Sequence, residues 1–204
     1  MYKNILNTEQ EKLLSVIKEF KREYYLVGGT AIALQAGHRQ SIDFDLFKTK
    51  AINKKKISTI FEKHKLSFKL LYQESNQLHV LVNNVKITFF EFGFEVPHEK
   101  KFEDIITMPD LINLSAMKAY ALGRRAKWKD YVDLFWLLKY HCSLGDISKR
   151  AGEIFGSLYS EKLFRQQLCY FNDIDYSEKV IFAGINFDNL TICNFLQEKA
   201  LEPF

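Results

Sequence analysis

Residues Tyr24–Phe47 read YYLVGGTAIALQAGHRQSIDFDLF. An apolar run stops at Gly28-Gly29-Thr30, and a second apolar run then carries Asp43 and Asp45. Carboxylates avoid such surroundings unless something compensates their charge. In a strand, residues i and i+2 share a face, so Asp43 and Asp45 are predicted to project together while Ile42, Phe44 and Leu46 pack on the other side. Two adjacent carboxylates repel unless a cation lies between them. Mg²⁺ (or Mn²⁺) suits the position, because it takes oxygen ligands and keeps waters and phosphates in its remaining places. The plainer alternative is a half-exposed strand with two solvated aspartates. The glycine pair shifts the balance: Gly28 and Gly29 let backbone approach a ligand, and a helix starting near Thr30 offers N–H groups to an anion. Thr30 is expected either to cap that helix or to bind a phosphate oxygen. One β-α-β unit would thus supply both a phosphate cradle and a metal site.

Outward from this unit, Thr8 and Glu11 form a T-x-x-E capping-box pattern before Leu13, Leu14, Ile17 and Phe20, which repeat at helical spacing. TAIALQAG is a short helix ending at Gly37, and NKKKISTIFEKHK an amphipathic surface helix. LSFKLLYQE, QLHVLVN and VKITFFEF are three strands, the last two joined by Asn83-Asn84 in a tight hairpin. From Met108-Pro109 onward the pattern is helical, with Pro109 at the expected first helical position. The chain therefore divides into an α/β domain over 1–108 and a helical bundle over 109–204.

LVGGTAIAL followed by HRQSIDFDLF resembles the nucleotidyltransferase signature of the DNA polymerase β superfamily. More narrowly it is similar to the AbiEii/AbiGii toxin family, on Gly28, Gly29 and Thr30, then Arg39, Ser41, Asp43, Asp45 and Leu46. The likeness continues through NVKITFFEF and the stretch from Met108 to Leu138. It implies a mixed sheet with flanking helices followed by a helical bundle. It also implies Mg²⁺-dependent transfer of a nucleoside monophosphate from an NTP to an RNA, protein or small-molecule acceptor. The protein would be the toxin of a toxin–antitoxin or phage-defence system, with an antitoxin as partner. Asp43 and Asp45 would be catalytic and metal-binding, and Arg39 and Ser41 would join the phosphate-binding set. Lys118, in AMKAYAL, would contact the triphosphate.

One departure from the family pattern matters. The strand VKITFF has Thr88 where the family places a third carboxylate. Thr88 is no base at neutral pH, and Glu91, three residues on, points to the opposite face of a regular strand unless a bulge turns it. The competing expectation is thus a catalytically weakened fold that binds nucleotide, nucleic acid or a partner. Lys86 shares the Thr88 face and either reaches a phosphate or snorkels at the sheet edge. Lys118 and Arg125 share a face if their helix continues through Gly123, and would offset the triphosphate charge. Asp130, with Asp133 three residues on, would orient these cations or bind the acceptor.

The rest of the composition excludes more than it assigns. A net charge of +4 is compatible with an anionic ligand without arguing for nucleic acid. Three cysteines without C-x-x-C spacing, no signal-peptide core and no long apolar run predict a cytoplasmic protein without membrane contact. The five histidines, His38, His64, His79, His98 and His141, lack metal-ligand spacing and read as ordinary.

Overall fold

A computed structural model describes residues 1–122 and 124–203. It divides into two compact units, residues 1–110 and residues 111 onward. The first unit opens with helix α1 (Thr8–Glu19). Its capping box uses Asn7 and Gln10 rather than Thr8 and Glu11. Asn caps as well as Ser or Thr does, which moves the start by one residue. Strand β1 (Tyr25–Val27) runs straight into helix α2 (Gly28–Ala36), so Gly28 and Gly29 form that helix's first turn. Strand β2 (Phe44–Lys48) and helix α3 (Lys54–Lys63) follow, then β3 (Lys69–Gln73), β4 (Gln77–Val82) and β5 (Val85–Glu91).

These strands form a mixed sheet in the order β1-β2-β5-β4-β3. Only β2 and β5 run parallel, with Asp45 opposite Thr88. The expected hairpin between β4 and β5 turns at Asn83 and Asn84, whose φ values of 48° and 62° are those a two-residue hairpin loop requires. One sheet face is the core. There Phe89 meets Phe20 of the segment after α1 at a ring-centroid distance of 4.9 Å and Phe61 of α3 at 6.3 Å. Alternation along β2 sends Phe44 and Leu46 inward and leaves Asp45 on the other, partly exposed face. Ile42 does not join the packed side: it is 55% exposed, because the strand begins only at Phe44.

A short hairpin, β6 (Lys100–Phe102) and β7 (Ile106–Met108), was not anticipated, since three-residue strands are too short to show a period. It also displaces Pro109 from the predicted first helical position. Extended backbone runs up to Pro109, as a proline favours in the residue before it, and helix α4 (Leu111–Leu122) starts two residues later. The Pro109 carbonyl instead accepts from Gln35 Nε2 at 2.9 Å.

The second unit is helical: α4, α5 (Trp128–Tyr140), α6 (Leu144–Phe155), α7 (Glu161–Leu168) and α8 (Asn189–Leu201). Its core gathers Tyr131, Phe135, Ile147, Phe164 and Leu196, all essentially excluded from solvent. Arg165, nearly buried, donates to the carbonyls of Ala200 and Glu202 at 3.0 and 2.7 Å. A cation there satisfies carbonyls that the end of α8 leaves without helical partners. Among the described residues, no helix is long and apolar enough to cross a membrane.

Candidate active site

Asp45 sits in the middle of the three-strand array β1-β2-β5, opposite Val27 on one side and Thr88 on the other. Its carboxylate packs against the first residue of α2. A Cβ built on Gly28 would collide with Asp45 Oδ2, and Gly28 has φ +71°, a left-handed backbone. Only glycine meets both conditions. Gly28→Ala is therefore expected to lose at least about 1–2 kcal/mol from the backbone alone, with displacement of Asp45 added. Thermal unfolding checks this, and a variant melting with the wild type would contradict it.

Gly29 has a different reason. A Cβ there would run into Arg39 Nη2 and come within 3.1 Å of Ser41 Oγ. Arg39 is 3% exposed, and its Nη1 donates to the Gln40 carbonyl at 2.9 Å. Arg39 and Ser41 thus lie directly over the first turn of α2, where helix N–H groups and dipole favour an anion. Thr30 is buried, and its hydroxyl donates to the Asp43 carbonyl and lies 2.9 Å from Ser41 Oγ. Gln10 completes the support: its Nε2 donates to the Ser41 carbonyl at 2.8 Å. The loop before Asp43 is held from three sides.

Asp43 lies one residue ahead of β2, with its side chain 17% exposed, and pairs with Lys86 Nζ at 3.1 Å. Lys86 and Thr88 share a face of β5, as expected from their spacing. The register of β5 is regular with β2 as far as Glu91 and with β4 as far as Phe90, so Glu91 stays with Ile87 and Phe89 on the other face. No carboxylate of β5 stands on the Thr88 face. Among the described residues, no group of three or more His, Cys, Asp and Glu side chains is placed to hold a metal. The donor set is two carboxylates, one already drawing an ammonium. That fits a hard divalent cation whose other positions fall to water and phosphate oxygens.

The strand pairing also brings up a residue the histidine reading set aside. His79 of β4 stands opposite Thr88 on β5. Burial, then the Lys86 charge, push its pKa below the ordinary imidazole value, against an upward pull from Asp45. The signal was present in the sequence: Leu78, Val80 and Val82 are apolar in alternation, so His79 had to face the other way.

In the second unit, Lys118 of α4 is buried and pairs with Asp130, and with Asp133 Oδ2 at 2.8 Å. Both aspartates are fully buried on α5. Arg125 Nε donates to Asp130 Oδ2 at 2.8 Å, with about half of its side chain exposed (49%). Burial works to raise the Asp130 pKa, but Lys118 and Arg125 together hold it below the usual value. Continuation of α4 through Gly123 lies outside the described residues. Lys118 and Arg125 meet on Asp130 all the same.

A mixed sheet with D-x-D at the start of the strand that follows a Gly-Gly helix start defines the nucleotidyltransferase class of fold. Solved structures agree. MenT4, a nucleotidyltransferase toxin from Mycobacterium tuberculosis H37Rv, superposes with a TM-score of 0.63 at 13% identity, covering 95% of this chain and 80% of that one. JHP933 from Helicobacter pylori gives 0.58 at 16% identity, covering 96% and 91%. The chain belongs to the nucleotidyl transferase AbiEii toxin family, type IV toxin–antitoxin system, whose sequence profile matches residues 12–174. An uncharacterized protein of Aquifex aeolicus (strain VF5), aq_aa25, is 32% identical over 142 residues, which is 67% of this chain and 68% of that protein. The fold class and the family resemblance read from the sequence are both borne out.

Proposed function

We propose that the protein transfers a nucleoside monophosphate from an NTP to an acceptor hydroxyl on RNA, protein or a small molecule. It would act in the cytoplasm as the toxin partner of an antitoxin. The observation that carries this reading is the clustering of Asp43, Asp45 and Lys86 beside the first turn of α2. A divalent cation held by Asp43 and Asp45 would neutralise triphosphate charge. The chain's own part is to bind and orient. Arg39, Ser41 and the N-terminus of α2 offer donors to the phosphates, and Gly28 and Gly29 keep that approach open. Lys86, paired with Asp43, is placed to move onto a phosphate oxygen. Thr30 positions Asp43 through its carbonyl. Arg125, half exposed, is the cation of the Asp130 cluster open to an anionic ligand, while Lys118 is assigned to holding that cluster together. Such chemistry is mostly positioning and electrostatic stabilisation.

Thr88 favours a second reading, a fold that binds nucleotide without turning it over. Calorimetry on the full chain with each NTP tests what both share. Binding is expected with Mg²⁺ or Mn²⁺ and is expected to vanish with excess EDTA. Heat that is unchanged by EDTA would refute the metal site.

A further inference from the structure

We infer that His79 is the proton acceptor of the transfer, an imidazole on β4 standing in for the carboxylate that Thr88 displaces on β5. This rests on the nucleotidyltransferase reading above. The argument is one of register. Asp45 pairs with Thr88, and Thr88 pairs with His79, so the three occupy one row across β2, β5 and β4. Residues paired across a ladder present their side chains on the same face, with Cβ atoms about 4.5–5.5 Å apart in an antiparallel pair. The Thr88 side chain is short and nearly buried, 8% exposed, so the longer imidazole can lean over it toward Asp45.

The surroundings leave one ring nitrogen suited to the task. His79 Nε2 lies 3.1 Å from Gln77 Oε1, and an amide oxygen only accepts, so Nε2 carries the hydrogen and Nδ1 keeps its lone pair. The groups facing the ring are known from each neighbouring strand. Tyr72 of β3 has its ring 5.3 Å away and donates its hydroxyl to Glu74, which also accepts from Gln77. Lys86 of β5 and Asp45 of β2 supply opposed charges. Burial and Lys86 outweigh Asp45, so the ring is neutral near pH 7 and able to accept a proton. In the step itself, the acceptor's hydroxyl oxygen forms a bond to the α-phosphorus. The bond from that phosphorus to the bridging oxygen of the β-phosphate breaks, and pyrophosphate leaves with its electron pair. The hydroxyl proton passes to His79 Nδ1 and from there to water.

The test uses the full chain, α-³²P-labelled NTPs, Mn²⁺ and a bacterial extract supplying RNA, protein and small-molecule acceptors, with NTP calorimetry alongside. His79→Gln is expected to lower kcat by about 100-fold or more, in the range of a general base. NTP affinity and melting temperature should stay at wild-type values. Adding Thr88→Asp to His79→Gln should restore the rate by tenfold or more. It should also move the acid limb of the kcat–pH profile from the imidazole range toward about pH 4, the carboxylate range. A His79→Gln variant with wild-type kcat overturns the inference. So does one that loses folding or NTP affinity along with rate and is not rescued by Thr88→Asp, since His79 would then be a packing residue. Wild-type protein that binds NTP but transfers label to no RNA, protein or small molecule of the extract overturns it too and leaves the binding-module reading standing. Absence of NTP binding in the wild type brings down the nucleotidyltransferase reading itself.

Discussion

Replacing Lys118 by Met is expected to cost about 3–5 kcal/mol of stability, the scale for removing one partner of a buried ion pair. Its ammonium serves Asp130 and Asp133, both fully buried, and Met fills similar volume without charge. The variant removes that ammonium from two buried carboxylates that lie one helical turn apart, while the half-exposed Arg125 guanidinium stays on Asp130. The pH dependence separates this from a packing loss. In the wild type the Asp130 pKa is depressed, so its contribution is complete above about 3.9, the unfolded value. That contribution is lost only as pH falls through the lower folded value. In Lys118→Met the carboxylate pair should instead take up a proton on folding, which makes the variant gain stability as pH falls. Urea titrations at pH 8 and pH 5 should show the gap between variant and wild type narrowing at the lower pH. An equal gap at both would mean that the cluster's charge is irrelevant to its stability.

The second large effect is expected at the D-x-D pair. Asp43→Asn should weaken Mg²⁺-dependent NTP binding by more than about 100-fold, beyond the 10- to 100-fold typical of losing a residue that only supports a metal ligand. The fold should be little changed, because Asp43 precedes its strand and remains tied through its own backbone carbonyl to Thr30. Asp45→Asn should lose binding to the same degree with some loss of stability, since that side chain lies in the sheet against Gly28. Calorimetry with Mg²⁺ and NTP, beside a thermal melt, resolves the two. Full NTP affinity in either variant would remove the carboxylates from the site.

What the sequence made legible follows from how local each signal is. Asp45 could be read because a strand's period of two is short and its neighbours are apolar, whereas Asp43 precedes the strand and its place depends on the Thr30 and Lys86 contacts. The Asn83-Asn84 turn was legible because few residues accept its backbone. Gly28 and Gly29 read together as glycines that let backbone approach a ligand, and the separate side chains each must clear appeared only with Asp45, Arg39 and Ser41 in place. The buried state of Lys118 was hidden for a similar reason. Along the helix it looks like any polar position, and the two aspartates that neutralise it lie on the next helix. The place of His79 opposite Thr88 was legible as well. Counting outward from the turn gives Val82 with Val85 and, three pairs further, His79 with Thr88, a sum the chain itself contains.

The two asparagines at that turn therefore act as a length standard for a surface they do not touch. Their number, rather than their chemistry, decides which row of β4 looks toward Asp45. With one residue more in the loop, the alternate row of Leu78 and Val80 would be brought to that side and His79 turned into the hydrophobic interior. Residue changes that keep a left-handed backbone leave the standard intact, whereas changes of loop length rewrite it. Drift in the sheet face that carries Asp45 is thus gated by an exposed hairpin tip.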